Sequence, residues 1–378
     1  MTYREMAGHK VSLLGFGCMR LPTLPDGSID EATAASMIDE AMKAGVNYYD
    51  TAWMYHGGES EKFLGRTLSR YPRDSFYLAT KLPTPAVTSR ERAVEIFEEQ
   101  LRRLQTDHFD FYLLHCLNRD LFENKVLAFD LIGLCEEWKR QGRIRHLGFS
   151  FHDNYESFER ILCHYPWEFC QIQYNYMDTD NQAGDKGYAL AVERGVPVVV
   201  MEPIRGGSLT RFPDEIHEAF AALDPDRNLA NWALSWVATH PGVKVVLSGM
   251  SAPEQVRDNL RTFSDFTPLT EEKMQGVSSV VEQIRARVRN GCTGCRYCMP
   301  CPFGVDIPRA FAISNEEAMH GHTEAYRARY LSGKPETFAS VCRSCGACET
   351  KCPQHLAIRR DLEVVAELFE SPAGTAKN

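Results

Sequence analysis

The sequence contains no apolar run of the roughly 18 to 20 residues that a helix needs to cross a bilayer. Its first residues do not show a charged segment followed by an apolar one, which is the pattern of a secretory signal. Positive charge is not in excess either, since 42 Lys and Arg residues stand against 51 Asp and Glu residues, for a net charge of −9. These absences argue against membrane spanning, secretion and nucleic-acid binding. We therefore expect a cytoplasmic protein with no membrane or nucleic-acid partner.

A dinucleotide-binding fingerprint of the Rossmann type is also missing. Gly15-Phe16-Gly17 begins such a motif, but the third glycine of G-x-G-x-x-G does not follow. Short apolar runs nevertheless alternate with helical patterns, and eight strands are predicted at 13–16, 48–50, 76–80, 109–115, 144–150, 169–173, 197–201 and 243–247. Eight β-α repeats over about 250 residues match a (β/α)8 TIM barrel. An α/β fold of this kind is the prediction, and an open doubly wound sheet is the alternative.

Local patterns predict several details of this barrel. The segments 3–5 and 10–12 flank Ala7-Gly8 and predict a hairpin that plugs one end. Residues 89–104 predict a helix whose apolar stripe is formed by Ala93, Phe97, Leu101 and Leu104. Three hydroxyl residues, each followed three positions later by a glutamate, predict helix starts by the capping-box pattern, at Ser28, Thr88 and Ser251.

Cysteine, in contrast, is abundant and unevenly distributed. Eight of the thirteen cysteines form two tight runs, each followed by proline: Cys292, Cys295, Cys298, Cys301 and Cys342, Cys345, Cys348, Cys352. Such runs disfavour ordinary disulfide pairing and indicate metal binding in a reducing compartment. Two C-x2-C-x2-C runs that each end in Cys-Pro have the ligand pattern of two [4Fe–4S] clusters. Two structural zinc sites are the alternative, because zinc also binds C-x2-C pairs.

The two runs are predicted to exchange ligands, since the fourth cysteine of each run serves the other cluster in two-cluster ferredoxins. One cluster is then held by Cys292, Cys295, Cys298 and Cys352, and the second by Cys342, Cys345, Cys348 and Cys301. The first run departs from the usual spacing, with two residues rather than three before its last cysteine. The remaining cysteines are expected to be buried apolar groups: Cys18, Cys116, Cys135, Cys163 and Cys170.

Three segments are therefore predicted along the chain. Residues 1–285 form the barrel, and residues 286–370 form a small α-helical ferredoxin-like domain with two [4Fe–4S] clusters. Residues 371–378 are expected to be a disordered tail.

Ionisable residues occur at the C-terminal ends of the second, third and fourth predicted strands, where a TIM barrel carries its chemistry. They are Asp50, Lys81 and His115, and Tyr55 follows in the loop after the second strand. A tyrosine with a pKa of about 10 is a weak acid at neutral pH, but a neighbouring cation lowers its pKa. We predict a carbonyl-reduction site in which Tyr55 donates the proton, Lys81 activates it, Asp50 fixes the lysine and neutral His115 orients the substrate oxygen. Cys116 is expected on the opposite face of the strand from His115.

The residues around this site resemble the aldo-keto reductase family. The resemblance covers about residues 1–285 and rests on 47–55, Ser60-Glu61, Leu64-Gly65, 79–81, 110–115, 142–150 and 171–174. It implies a TIM barrel, a nicotinamide-dependent oxidoreductase, a small-molecule carbonyl substrate and a catalytic tetrad of Asp50, Tyr55, Lys81 and His115.

The resemblance also implies a cofactor site. Ser150 and Gln171 would hold the nicotinamide carboxamide, and Met201 stands where family members often stack an aromatic ring on it. Barrels bind phosphate in the loops after strands seven and eight, where Arg205, Gly206, Gly207, Ser248 and Gly249 could hold it. Gln255 and Asn259 are further candidates for cofactor binding. Gly249 and Gln255 are uncharged where NADPH-specific members commonly place cations, with Arg257 as a candidate substitute. The same loops fit NAD(P)H or the single phosphate of FMN.

Three functions follow as hypotheses. The first is an iron–sulfur oxidoreductase that interconverts a carbonyl and an alcohol with NAD(P)H, with clusters that carry electrons or are structural. Because a hydride carries two electrons and a cluster accepts one, coupling the two needs a group such as flavin. The second hypothesis is therefore a flavin- or ferredoxin-dependent reductase in which the clusters feed electrons from a ferredoxin-type partner to a barrel-bound cofactor. The third is a non-catalytic redox-sensing or docking module.

Overall fold

The computed structural model describes residues 1–371, so residues 372–378 of the predicted tail lie outside the described part. The chain forms two compact units. The first contains Met1–Gly206 and Arg227–Met274, and the second contains Gly207–Asp226 and the chain from Gln275 onward. The second unit thus takes a segment from the middle of the sequence. The division at residues 285 and 286 stays a prediction about domains.

The first unit is built around a closed barrel of eight parallel strands. An antiparallel hairpin, β1 (Tyr3–Met6) and β2 (His9–Ser12), precedes it. The barrel strands follow in chain order, and the last pairs with the first: β3 (Leu14–Gly17), β4 (Tyr48–Asp50), β5 (Tyr77–Leu82), β6 (Phe109–Leu117), β7 (Ile144–Phe151), β8 (Phe169–Gln173), β9 (Val198–Met201) and β10 (Val243–Gly249). The predicted TIM barrel is confirmed, and the alternative of an open doubly wound sheet is wrong because β10 closes onto β3.

Helices connect the strands of the barrel. In chain order the helices up to the last barrel strand are α1 (Glu31–Lys43), α2 (Glu59–Leu68), α3 (Arg90–Leu104), α4 (Arg119–Leu121), α5 (Leu131–Arg140), α6 (Tyr155–Leu162), α7 (Gly184–Glu193), α8 (Asp214–Leu223) and α9 (Leu229–Thr239). Helix α10 (Pro253–Ser264) follows β10, whereas α8 belongs to the second unit. The predicted stripe of α3 is buried, including Ala93 and Phe97. This burial agrees with a helix whose apolar face packs on the barrel.

The three predicted capping residues are wrong by one or two positions. Asp30, not Ser28, caps α1 by accepting a hydrogen bond from the Thr33 backbone N–H. Ser89, not Thr88, caps α3, and α10 starts after Ala252 without a side-chain cap. Several residues near each helix start can accept such a bond, and the start itself is set by packing and by Pro253 in the first turn of α10.

The hairpin packs on one end of the barrel interior. Met6 and Val11 form one buried cluster with inward residues of the strands, among them Tyr48 at the start of β4 and Phe169 at the start of β8. These are the N-terminal ends of the strands. The hairpin therefore covers the N-terminal end, and the C-terminal end remains available for a site.

The second unit is helical. Besides α8 it contains most of α11 (Glu271–Ala286) and all of α12 (Ile307–His320), α13 (Thr323–Leu331) and α14 (Ile358–Glu370). Its buried core includes Phe311, Tyr330, Leu362 and Phe369. Six of the eight clustered cysteines pack against this core: Cys292, Cys298, Cys301, Cys342, Cys348 and Cys352. Among the helices of residues 1–371, none has the length and apolar character of a membrane span.

Candidate active site and cysteine cavities

Three neighbouring strands carry the ionisable residues that the sequence singles out. Asp50 ends β4, Lys81 is the penultimate residue of β5, and His115 lies near the end of β6. Because β4, β5 and β6 are adjacent in the barrel, their C-terminal ends meet. Tyr55 opens the 3-10 turn Tyr55–Gly58 that follows β4. The fold thus brings all four side chains to one end of the barrel.

Lys81 and Asp50 form a buried ion pair. Lys81 Nζ lies 2.6 Å from Asp50 Oδ1 and donates a second hydrogen bond, of 2.8 Å, to the Thr51 carbonyl. The Lys81 side chain is 0% exposed and the Asp50 side chain 3%. Asp50 Oδ2 has no hydrogen-bond partner among the described residues. Removal of either residue would leave the other charge buried without a partner, which lowers the stability of the folded protein.

Tyr55 lies between this ion pair and His115. Lys81 Nζ is 5.2 Å from the centre of the Tyr55 ring. The Tyr55 and His115 rings meet edge to face, with centroids 6.1 Å apart and planes at 80°. His115 is 5% exposed, and its Nδ1 has no hydrogen-bond partner among residues 1–371. The phenol, the imidazole and the ammonium group therefore face one small region.

The protonation states follow from burial and from the lysine charge. Burial raises the pKa of Tyr55 above its ordinary value, and the Lys81 charge opposes this rise only in part. The Lys81 charge thus acts on the pKa of Tyr55 in the predicted direction, but the net shift is upward because loss of water outweighs the cation. Burial, reinforced by the Lys81 and His152 charges, holds the pKa of His115 well below its ordinary value. Tyr55 is thus a protonated donor and His115 a neutral imidazole at pH 7.

Behind Lys81 lies a buried polar network that the sequence reading missed. Glu61 is fully buried in α2, and its Oε1 accepts hydrogen bonds from Thr80 Oγ1 at 2.8 Å and from Gln100 Nε2 at 2.7 Å. Gln100 Nε2 also donates to the Lys81 carbonyl at 3.0 Å. The network therefore holds the strand that carries the lysine.

The same carboxylate is linked to the turn that carries Tyr55. Arg103 Nη1 lies 3.2 Å from Glu61 Oε2 and 3.4 Å from the Trp53 carbonyl. The guanidinium also stacks over the Trp53 ring, 3.7 Å from its centre. Trp53 precedes Tyr55 by two residues. Through Arg103 and Gln100, Glu61 therefore connects the backbone next to Tyr55 with the backbone of β5 at Lys81. The pair Ser60-Glu61 was the only signal for it in the sequence.

Cys116 departs from the expected geometry. The pairing of β6 with β7 shifts register between Leu114 and Leu117, and Cys116 has a left-handed φ of +57°. Such a bulge breaks the simple alternation of strand faces. Burial raises the pKa of the Cys116 thiol, and the charge of Lys81 lowers it in part, so the thiol lies within reach of the site's charges. Cys116 is only partly buried and Cys163 is exposed, which corrects the prediction that both are buried.

Two residues predicted to bind a carboxamide lie on neighbouring strands. Ser150 Oγ accepts a hydrogen bond of 2.8 Å from the Cys116 backbone N–H, which leaves its hydroxyl proton available. Gln171 is buried, its Oε1 has no partner within the described chain, and its Nε2 lies 3.6 Å from Met201 Sδ. Ser150 and Gln171 are paired residues of β7 and β8. An amide group with one donor and one acceptor fits these groups.

The first predicted phosphate loop has a left-handed backbone, and polar side chains of both loops already have hydrogen-bond or ion-pair partners. Arg205, Gly206 and Gly207 have consecutive positive φ values of 48°, 63° and 95°. Arg205 Nε lies 3.5 Å from Asp178 Oδ2. After β10, Asn259 Nδ2 donates to Ser248 Oγ at 2.8 Å, Gln255 Oε1 accepts from the Ser251 backbone N–H at 2.8 Å, and Arg257 Nε pairs with Glu40 at 3.1 Å. Arg257 is thus already engaged in an ion pair.

Arg20 is a further cation of this region, and it is not among the residues that the sequence predicts for the site. A Cβ added to Gly249 would lie 3.2 Å from Arg20 Cβ, and one added to Gly206 would lie 3.0 Å from Arg20 Nη2. Its guanidinium is half exposed and only 3.9 Å from Glu202. Arg20 therefore extends from the loop after β3 across both predicted phosphate loops. Its position in that first loop was the only available signal.

The eight clustered cysteines surround two cavities in the second unit. Cys292, Cys295, Cys298 and Cys352 line one cavity. Cys301, Cys342, Cys345 and Cys348 line the other. Each cavity thus takes three thiols from one run and the fourth from the other. Ile307 lines both cavities, so they are neighbours. Within residues 1–371, no three His, Cys, Asp or Glu side chains are arranged to hold a single metal ion.

Comparison with known families accounts for both units. Residues 13–282 match the model of the "Aldo/keto reductase family". The chain belongs to the aldo/keto reductase family. Residues 291–357 of this aldo/keto reductase match the "4Fe-4S dicluster domain". The predicted fusion of the two modules is confirmed.

Relatives of this aldo/keto reductase match its barrel. "Uncharacterized oxidoreductase YqkF" of Bacillus subtilis is 27% identical over 314 residues, which cover 72% of this chain and 94% of that protein. "L-galactose dehydrogenase" of Arabidopsis thaliana is 27% identical over 301 residues, which cover 74% and 93%. A solved structure, "aldo-keto reductase AKR11C1 from Bacillus halodurans (holo form)", is 31% identical, with a TM-score of 0.63 and coverage of 74% and 96%. The chain is an oxidoreductase of this family.

Proposed function

We propose that this aldo/keto reductase interconverts a small-molecule carbonyl and its alcohol with a nicotinamide cofactor, and that its second unit binds two [4Fe–4S] clusters. The buried pair of Lys81 Nζ and Asp50 Oδ1, 2.6 Å apart, carries the first half of this proposal, because it keeps a cation beside the phenol of Tyr55. Either direction of the reaction uses the same proton at the Tyr55 oxygen.

The four residues have distinct tasks in this reaction. Tyr55 gives its proton to the carbonyl oxygen during reduction and takes it back during oxidation. Lys81 stabilises the phenolate that remains, which matters because burial alone raises the pKa of Tyr55. Asp50 holds the ammonium group in place. Neutral His115 contacts the substrate oxygen as negative charge develops on it.

The residues present fit a nicotinamide. Its carboxamide would find the unpartnered Gln171 Oε1 and the Ser150 hydroxyl, and Met201 would supply an apolar contact. Phosphates would bind Arg20, Arg205 and the backbone N–H groups of Gly206, Gly207 and Gly249, with Ser248, Gln255 and Asn259 shaping the loop. When bound, the nicotinamide supplies or accepts the hydride.

The residues of the second unit fit [4Fe–4S] clusters. Four thiols surround each cavity, whereas one zinc ion would need four thiolates at about 2.3 Å from a single point. Cys292, Cys295, Cys298 and Cys352 would hold one cluster, and Cys342, Cys345, Cys348 and Cys301 the other. Each cluster supplies one-electron transfer. The neighbouring cavities support exchange of electrons between the two.

Replacement of Tyr55 by Phe tests the barrel half of the proposal. Reduction of a panel of aldehydes and ketones with NADH and NADPH should fall by about 10²- to 10⁴-fold, because a general acid contributes that much. The affinity for the cofactor, measured by quenching of protein fluorescence, should not change. The Tyr155→Phe variant, at a partly exposed tyrosine of α6, is the control. A Tyr55→Phe enzyme that works at the parent rate would remove the proton-donor role.

A flavin-linked reductase is the second candidate, and the two cysteine cavities favour it. The two cavities would hold clusters that carry single electrons. Such clusters couple to two-electron chemistry through a group that can accept one or two electrons, as flavin does. Anaerobically purified protein should be assayed for flavin, iron and sulfide. Stoichiometric FMN would favour this second candidate. Turnover lost in Tyr55→Phe would contradict a purely sensing or docking module.

A further inference from the structure

Basic residues border the two cysteine cavities of a chain that is acidic overall. The segments 292–305 and 342–360 contain a single acidic residue, Glu349, and five basic ones, Arg296, Arg343, Lys351, Arg359 and Arg360. The whole chain, in contrast, has a net charge of −9. The positive charge is thus concentrated where the predicted clusters lie.

The second cavity, lined by Cys301, Cys342, Cys345 and Cys348, is bordered by two arginines, whereas the first is bordered by one. Arg343 and Arg359 both line it. Arg359 pairs with Glu349 at 2.9 Å, whereas Arg343 is exposed and has no ion-pair or hydrogen-bond partner in residues 1–371. An unpaired exposed guanidinium at the edge of a cavity is available to a partner of opposite charge.

The same cavity opens to solvent beside an aromatic ring. Cys345 is exposed although its three companions are partly buried, so a cluster held there would have one edge at the surface. Phe303, which lines the cavity, is 44% exposed. Aromatic and arginine side chains are enriched in protein interfaces. The exposed cysteine, the aromatic ring and the guanidinium groups of Arg343 and Arg359 therefore occur together at the second cavity.

We propose that the surface formed by Phe303, Arg343, Cys345 and Arg359 docks an acidic one-electron carrier protein. The inference rests on the proposed function, because the cluster at the second cavity must be bound to accept the electron. The carrier is oxidised by one electron and the cluster is reduced by one, with no bond made or broken. Ile307 separates this cavity from the first, which makes the first cluster the next acceptor.

Two alternatives fit these observations less well. A nucleic acid would make no use of an exposed cluster edge, whereas an electron carrier needs one. Docking at the first cavity would rely on Arg296 as its one lining cation, and the exposed ring of Tyr297 does not line that cavity. The second cavity is therefore the better docking end.

The test measures cluster reduction in the holoprotein, without any barrel substrate. Stopped-flow absorbance would follow electron transfer from a reduced acidic flavodoxin to the parent and to Arg343→Glu. Two controls make the same charge change elsewhere: Arg296→Glu at the first cavity and Arg194→Glu on the exposed surface of the barrel unit. Arg343→Glu should lower the second-order rate constant about tenfold at low ionic strength, a difference that salt removes. The two controls should stay within about twofold of the parent.

Reduction by dithionite, and the iron content of each variant, complete the design. Equal rates with dithionite and equal iron contents show that the Arg343→Glu cluster is intact and can be reduced, and a redox titration of both proteins compares their potentials. Equal losses in Arg343→Glu and Arg296→Glu, or a rate that does not depend on salt, would overturn docking at the second cavity. Binding of a single-stranded RNA that Arg343→Glu abolishes, with an unchanged carrier rate, would overturn it in favour of nucleic acid. A parent protein without iron would overturn the proposed clusters as well.

Discussion

His115 is a buried neutral histidine, and this state makes stability depend on pH. Its pKa in the folded protein lies well below the ordinary value because burial and the Lys81 charge disfavour the cation. The unfolded chain, in contrast, binds a proton at this position below about pH 6.5. The folded state is therefore favoured above that pH, and stability falls as the pH drops below it.

We predict that His115→Gln removes part of this acid sensitivity. A single group of this kind costs up to about 1.4 kcal/mol of unfolding free energy per pH unit. Between pH 6.5 and 5.5 the parent should therefore lose about 1 kcal/mol more than the variant. Urea unfolding under anaerobic conditions, followed by circular dichroism at both pH values, measures the difference. His152, whose pKa burial also lowers, remains in both proteins. Identical losses would contradict a neutral buried His115.

Single residues differed in how far they could be predicted. The convergence of Asp50, Tyr55, Lys81 and His115 could be predicted because the strand ends of a barrel meet, and the four residue types suit one reaction. The net upward shift of the Tyr55 pKa was not predicted, because the sequence reveals the neighbouring lysine but not how far the phenol is shielded from water. Arg20 was missed because only the fold shows that the loop after β3 passes Gly206 and Gly249.

Between elements, Glu61 couples α2 and α3 to the two backbones that hold Tyr55 and Lys81. We predict that Glu61→Gln lowers kcat about tenfold with little change in cofactor KM, because the donor turn and the lysine strand lose a shared acceptor. It should also destabilise the fold by about 1 to 3 kcal/mol, since one buried donor is left unsatisfied.

The control for Glu61 is Glu98→Gln on α3, whose pair with Arg143 is partly exposed. Exposed pairs contribute about 0 to 1 kcal/mol, so this variant should keep both stability and kcat. A Glu61→Gln enzyme that is less stable but has an unchanged kcat would show that the network is only structural.

The strands and helices themselves were largely predictable, and their exact starts and contacts were not. The eight barrel strands are apolar runs between helical patterns, which is why the barrel could be recognised. The caps at Asp30 and Ser89 were missed because neighbouring polar residues compete for the same role. Gln100 and Glu61 are separated by 39 residues, so no local pattern could indicate that they meet. The same applies to the segment Gly207–Asp226, which joins the second unit.

The whole molecule combines an aldo/keto reductase barrel with two cavities, each lined by cysteines from both runs. If Cys352 serves the same cluster as Cys292, Cys352→Ser should lower the iron content from about eight to about four atoms. The double variant Cys292→Ser, Cys352→Ser should then lose no more iron than either single one. If each run instead held its own cluster, the double variant would lose both clusters. Iron and sulfide analysis with spin counting of the reduced protein distinguishes the two outcomes, and the exposed Cys163→Ser variant is the control.

The exchange matters for the molecule as a whole, because a cluster that binds both runs ties together segments about forty residues apart. Loss of one cross-run ligand should therefore also loosen the packing of the cysteines on Phe311 and Leu362 in the helical core.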